Sequence, residues 1–261
     1  MIEWFADFSR VSFGGIENVF DVSSVFCEFY VGGNLYSIKW YGVIIAFGLI
    51  LAALFGGRIA YTWKMDLSKM VDVLIYGMFG GIICARAYYV AFEWDYYSVH
   101  PDEIFQIWRG GLAIYGGIIG AVAGLGIYAW RKKYNLLALM DVCAGSLALG
   151  QAIGRWGNFF NQEAHGALVE NPSLQFFPYA VYLDSPKGNE PIGWYQATFF
   201  YESMWCLLIF AVLAILFFKQ KYHGQLTLTY LALYGFERGI VEWLRTDQLQ
   251  IGGVPVSAIL S

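Results

Sequence analysis

Long apolar runs alternate with short polar breaks along most of this chain. The runs cover residues 41–63, 70–92, 109–130, 136–159, 197–218 and 225–244, each close to the ~20 helical residues that cross a bilayer. Apolar stretches this long and this continuous predict six transmembrane helices. Residues 1–39 break the pattern. They mix polar and aromatic positions, with Gly14-Gly15 and Gly32-Gly33 as turn signals, and predict an irregular or short-helical cap at the membrane surface. Residues 161–196 are polar and carry Pro172, Pro178, Pro186 and Pro191. A connection of that length predicts a small head with short structure of its own. Ile251 to Ser261 is apolar again but too short to span, and reads as a truncated seventh helix. The expected fold is an all-α polytopic membrane protein, with a cap over 1–39 and a single transmembrane domain over 40–261 that includes the head.

Composition supports the membrane reading. Hydrophobic residues make up 58% of the chain and charged residues 14%, against about a quarter in soluble domains. Too little charge is left to cover an apolar core in water. Aromatics reach 19%, which suits rings placed at membrane interfaces. Basic residues fix the orientation: the breaks at 64–69, 131–133 and 219–221 hold seven Lys and Arg, whereas 93–108 and 161–196 hold only Lys187. The basic loops are therefore expected in the cytoplasm, and the N-terminus, the acidic loop and the head outside. A formal net charge of −4 gives no sign of a nucleic-acid partner. Cys27, Cys84, Cys143 and Cys206 are scattered, and the three histidines lack ligand spacing, so neither metal nor cofactor is expected.

Several charges fall where apolar helices should exclude them. Arg86, Arg155 and Arg238 lie within the second, fourth and sixth runs, with Glu202, Glu237 and Glu242 in the fifth and sixth, and Arg109 and Arg245 at run ends. An arginine at mid-membrane costs roughly 2.5–3.5 kcal/mol by insertion scales. On the predicted topology these groups lie in the outer half of the bilayer, where Tyr41 and Tyr115 also open their runs. Tyr234, Arg238, Glu242 and Arg245 are spaced four, four and three apart, which stacks them on one helix face and allows Arg238 to pair with Glu242. A satisfied ion pair would explain that helix alone, and snorkelling would explain Arg109 and Arg245. Guanidinium groups gathered at one depth also fit a phosphate ester, through a planar fork and permanent charge. The phosphates available at that depth belong to phospholipids.

The densest polar cluster is Gly154-Arg155-Trp156-Gly157-Asn158-Phe159-Phe160-Asn161-Gln162-Glu163-Ala164-His165-Gly166. It resembles the motif GRxGNFxNxExxG of the prolipoprotein diacylglyceryl transferases. Further landmarks resemble the family in order: Trp40-Tyr41-Gly42, Gly110-Gly111-Leu112-Ala113-Ile114-Tyr115-Gly116-Gly117, Phe200-Tyr201-Glu202-Ser203, and Arg238-Gly239-Ile240-Val241-Glu242-Trp243-Leu244-Arg245 followed by Asp247-Gln248. The likeness runs from Leu35 onward.

The resemblance implies a catalytic transmembrane domain in a bacterial plasma membrane, with chemistry toward the outer leaflet. The implied reaction moves the diacylglyceryl group of phosphatidylglycerol onto the lipobox cysteine of a prolipoprotein signal peptide, releasing sn-glycerol 1-phosphate. It implies a catalytic set of Tyr41, Tyr115, Arg155, Asn158, Glu163, Arg238 and Glu242. For the lipid it implies Arg155, Asn158, Arg238, Arg86 and Gly166. Many members carry His where this chain has Tyr115, and His-Pro-Thr where it has Gln196-Ala197-Thr198, so the residue that takes the thiol proton stays open between Glu202, Glu242 and a lipid phosphate oxygen. Two other readings are a transporter for lipid or anionic solute and an inactive relative that only binds lipid. A transporter would more often place its site at the midplane between repeats.

Overall fold

The computed structural model describes residues 8–12, 20–32, 34–62, 67–107, 110–184, 186, 190–241, 244, 250–251 and 254–255. The chain divides into two compact units. One comprises residues 1–55, 144–220 and 228–261, and the other 56–143 and 221–227.

Helices stand over the apolar runs: α1 (Trp40–Thr62), α2 (Leu67–Phe92), α4 (Ile114–Lys132), α5 (Leu136–Phe160), α6 (Thr198–Phe217) and α7 (Gln225–Val241), with a short α3 (Trp94–Tyr97) in the acidic break after α2. Of these, α1, α2, α5 and α6 are long and apolar enough to cross a membrane, which makes this a multi-pass membrane protein. The termini of α4 and α5 are legible in the residues. Lys133 takes a left-handed φ of 57° and returns its N–H to the Ala129 and Trp130 carbonyls, closing α4. Asn135 then accepts from the Leu137 N–H at 2.9 Å and opens α5.

The described part of the N-terminal cap is β structure, where irregular or short-helical chain was expected. Strands β1 (Phe8–Ser12), β2 (Phe20–Ser23), β3 (Val25–Val31) and β4 (Asn34–Lys39) precede α1. β3 is rich in β-branched and aromatic residues. Gly32 of the Gly32-Gly33 signal turns the chain between β3 and β4 at φ 59°, with Val31 opposite Asn34, while Gly33 lies outside the described residues. The head contributes β5 (Ala180–Leu183) and β6 (Gly193–Gln196), and one antiparallel sheet runs β2-β1-β5-β6. Beneath it Phe159, Val181, Leu183, Tyr195, Ala197 and Phe199 form a buried cluster. In the segment read as a truncated seventh helix, the described residues form two short paired strands, β7 (Gln250–Ile251) and β8 (Val254–Pro255).

The same unit ties its helices together through polar side chains within apolar surroundings. Trp156 Nε1 donates to Ser203 Oγ at 3.2 Å, and Ser203 Oγ to the Ala152 carbonyl at 2.8 Å. Tyr230 donates to Gln151 Oε1 at 2.9 Å, and Trp205 Nε1 to the Leu233 carbonyl at 3.0 Å. These bonds lock α5, α6 and α7 in register below the site.

In the second unit α2 and α4 meet backbone to backbone. Gly116, Gly120 and Gly124 recur every fourth residue on α4, and a Cβ on Gly120 would lie 2.1 Å from the Gly80 carbonyl oxygen. Small residues at this spacing allow the close packing that associates helices in lipid, where apolar burial offers no drive. The start of α7 is held by a fully buried carboxylate. Asp141 accepts from the Gly224 N–H at 2.6 Å, and from the N–H and hydroxyl of Thr227 at 2.8 Å each. It thus satisfies amides that the first turn of a helix leaves without partners. Asp141→Ala is expected to lower stability by about 3 kcal/mol, the scale of charged hydrogen bonds lost in a dry site, read as a fall in thermal midpoint in detergent.

Candidate active site

The centre of the first unit is an ion cluster built from three helices. Glu202, in the second turn of α6, is 1% exposed and holds two arginines on one carboxylate oxygen. Arg155 of α5 contacts Glu202 Oε2 through Nη2, and Arg238, in the last turn of α7, donates to the same oxygen through Nη1 at 3.1 Å. The arginine side chains keep 18% and 16% of their surface. Each guanidinium fork carries five N–H donors. A pair of partly open forks can take a phosphate. Glu237, beside Arg238 in sequence, is 3% exposed.

The sequence reading pairs Arg238 with Glu242 along α7. The partner described for Arg238 is Glu202, across to α6, while Glu242, like Arg109 and Arg245, lies outside the described residues. Residue spacing reveals neighbours along one helix and is blind to those across helices. Glu202 stands outside the expected catalytic set, although the sequence marks it as a carboxylate in an apolar run and as one candidate for the thiol proton.

Past Arg155 the chain leaves α5 through a strained turn. Gln162 and Ala164 take left-handed φ values of 48° and 55°, a conformation that L-residues seldom adopt and that clusters at functional sites. The turn folds Glu163 back over the helix end, where its N–H bonds the Asn158 carbonyl at 3.0 Å. Glu163 Oε1 then accepts from Asn158 Nδ2 at 3.3 Å and Asn161 Nδ2 at 3.0 Å. The motif's two asparagines and its glutamate therefore form one network. Gly157 gives Tyr41 of α1 its place, since a Cβ there would lie 2.8 Å from the tyrosine ring. Tyr41 itself is 38% exposed.

Gly166 follows the turn and hydrogen-bonds the Gln196 carbonyl through its N–H at 3.1 Å. A Cβ on Gly166 would meet Gln196 Cβ and Oε1 at 2.7 Å and the Leu244 carbonyl oxygen at 3.0 Å. Only glycine fits without movement. Gly166→Ala is expected to cost about 1–3 kcal/mol by overpacking, measured as a drop in thermal midpoint together with lower turnover. His165 beside it is buried, with its ring 4.3 Å from that of Tyr195 and Nδ1 3.9 Å from Glu190. Burial, reinforced by Glu190, pushes the Tyr195 hydroxyl above its ordinary pKa.

Arg86 and Tyr115 belong to the second unit. Tyr115 is the second residue of α4 and is 38% exposed. Arg86 is 7% exposed and spends its guanidinium on main-chain carbonyls, those of Glu103, Ile104, Gly110 and Gly111. Among the described residues no group of His, Cys, Asp and Glu is arranged to hold a metal.

A family model, prolipoprotein diacylglyceryl transferase, matches residues 29–261. The chain belongs to this family. It is 45% identical over 231 residues to a phosphatidylglycerol–prolipoprotein diacylglyceryl transferase of Listeria innocua, covering 86% of this chain and 81% of that protein. Proteins of the same name from Clostridium novyi and Acaryochloris marina are 39% and 40% identical, over 228 and 226 residues. Each match covers 86% of this chain, with 86% of the first protein and 81% of the second. Family membership makes the chain a transferase of lipoprotein biosynthesis. The ion cluster, the asparagine–glutamate network and Gly166 all lie within the stretch that the family model covers.

Proposed function

We propose that this family member transfers the diacylglyceryl group of phosphatidylglycerol to the thiol of a lipobox cysteine in a prolipoprotein signal peptide, the first step of lipoprotein maturation. The observation that supports it is the Arg155–Glu202–Arg238 cluster, whose sequence neighbours Trp156 and Ser203 line an apolar pocket with Val43, Ile44 and Phe47. In the reaction the cysteine sulfur attacks the glyceryl carbon next to the phosphate. An S–C bond forms, the C–O bond breaks, and its electron pair leaves on sn-glycerol 1-phosphate. The thiol, with an ordinary pKa near 8.5, gives up its proton as it becomes the nucleophile, and the proton is carried away with the leaving phosphate. Negative charge grows on the leaving oxygen, and two guanidinium groups placed beforehand are the groups to meet it.

Within that reading Arg155 and Arg238 bind the lipid phosphate, and Glu202 fixes the angle between their forks. Asn158 and Glu163 hold the glycerol head, Gly166 keeps the wall behind it thin, and Tyr41 closes one side. Tyr115 and Glu242 complete the proposed catalytic set. The distribution of Lys and Arg supports six crossings with the basic loops in the cytoplasm of a bacterial cell, which puts the cluster toward the outer leaflet of the plasma membrane.

The test is a reconstituted assay. Purified protein is mixed with labelled phosphatidylglycerol and a lipobox peptide. Thioether-linked peptide and glycerol phosphate should appear in equal amounts. Absence of both would overturn the transferase reading, and passage of lipid across a vesicle without product would replace it with transport.

A further inference from the structure

Arg86 belongs to α2, one of the helices long enough to cross a membrane, and sits about two turns from its C-terminal end. A buried arginine in that setting needs partners, and here it finds them in main chain. Nε donates to the Ile104 carbonyl at 2.7 Å, Nη2 to Glu103 at 2.7 Å, and Nη1 to Gly110 and Gly111 at 2.9 Å each. Four of the five guanidinium N–H groups are thus committed. One face of the group lies over the Tyr97 ring at 5.0 Å, and Tyr89 stands 5.9 Å away. The arrangement satisfies both sides. Irregular main chain among apolar helices is tolerated only where its polar groups are paired, and this arginine pairs four carbonyls at once.

The anchored carbonyls lead directly to Tyr115. Gly110 and Gly111 adopt φ values of 91° and 75°. A Cβ on Gly111 would lie 2.5 Å from Arg86 Nη1 and 2.7 Å from the Tyr89 ring. Ala113 is extended, and its N–H returns to the carbonyl of Ala85, the residue before Arg86, at 3.1 Å. From Ile114 the chain is helical. Between the last carbonyl held by Arg86 and Tyr115 there are only three residues, and one of these is itself tied to α2.

We propose that Arg86 is a positioning residue: it acts on the reaction by pinning the main chain at Glu103–Ile104 and Gly110–Gly111 and so setting where Tyr115 stands, and not as a ligand of the lipid phosphate. This rests on Tyr115 being part of the transferase site. Its two elements, the arginine and the glycines, can be broken independently. Arg86→Gln removes the charge and most of the donors. Gly111→Ala keeps the arginine but drives a methyl group into it.

The experiment compares full-length Arg86→Gln, Gly111→Ala and Arg86→Lys proteins in the reconstituted assay, with hydrogen exchange of the 103–113 amides followed in parallel. Both of the first two variants should lose at least tenfold in kcat, with KM for phosphatidylglycerol moving less than twofold, and amides 103–113 should exchange faster in both. Arg86→Lys should recover part of the rate, because an ammonium can reach some of the carbonyls but not all four. A tenfold rise in KM with kcat intact in Arg86→Gln, alongside a wild-type-like Gly111→Ala, would make Arg86 a phosphate ligand and overturn the proposal. If Arg86→Gln does not fold, Gly111→Ala alone decides between these outcomes. If the wild type forms no product, the transferase reading fails, and the exchange measurement still judges the clamp: unchanged protection at 103–113 in Gly111→Ala would sink it.

Discussion

Arg155→Ala should bring turnover down by about 10²–10³, the scale set by losing one pre-placed donor to a developing anion. Most of that loss should fall on kcat, because the guanidinium matters most once charge has moved onto the leaving phosphate. Arg155→Lys should not restore the rate. An ammonium is a compact point charge and cannot hold a carboxylate and a phosphate oxygen in one plane as a fork can. Arg238 remains on Glu202 in that variant, so the protein should stay folded. Steady-state rates with phosphatidylglycerol and a lipobox peptide, beside a thermal melt, separate these effects. Full activity in Arg155→Ala would remove the residue from the phosphate site.

Glu202 is expected to produce a different pattern, with stability and activity failing together. It is 1% exposed and carries contacts to both arginines. Removing one member of a buried charge group leaves the others without compensation, at about 3–5 kcal/mol. Glu202→Ala should therefore lower the thermal midpoint more than Arg155→Ala does. Glu202→Gln keeps the shape and one acceptor, and should fall between them. The double variant Arg155→Ala/Glu202→Ala should be less damaged than the sum of its parts, since the two changes share one interaction. Additive losses would mean that the carboxylate does not organise the arginines.

The helices were open to reading because each is an almost uninterrupted apolar run, and the ends of α1, α5 and α6 lie close to those the hydropathy predicts, while α4 starts five residues after the run that opens at 109. The motif around Arg155 was equally visible, because polar residues in an apolar run stand out. What the residues could not display was partnership across elements. Arg238 and Glu242 are four apart on one strand of sequence, so their pairing suggested itself, while Glu202 is 36 residues from Arg238 and nothing local connects them. Arg86 shows the same limit in another form. A guanidinium suited to phosphate is equally suited to carbonyls, and the residues give no sign that those of 103, 104, 110 and 111 meet it. The cap failed for a third reason. Strands of four to seven residues leave too short a pattern to set against aromatic-rich chain at a membrane surface, and the second partner of β1 comes from the head.

That last pairing has a consequence for how the protein is made. Val11 in β1 lies opposite Leu183 in β5, so the strand made first must wait for one encoded 172 residues later. At bacterial synthesis rates of roughly 5–20 residues per second the wait is on the order of ten to thirty seconds. Until then β1 has only β2, and a lone two-stranded ribbon is marginal in water. The N-terminal segment therefore waits as an unsealed edge while α1, α2, α4 and α5 are made, and the sheet closes like a clasp only after the chain on its far side has been delivered.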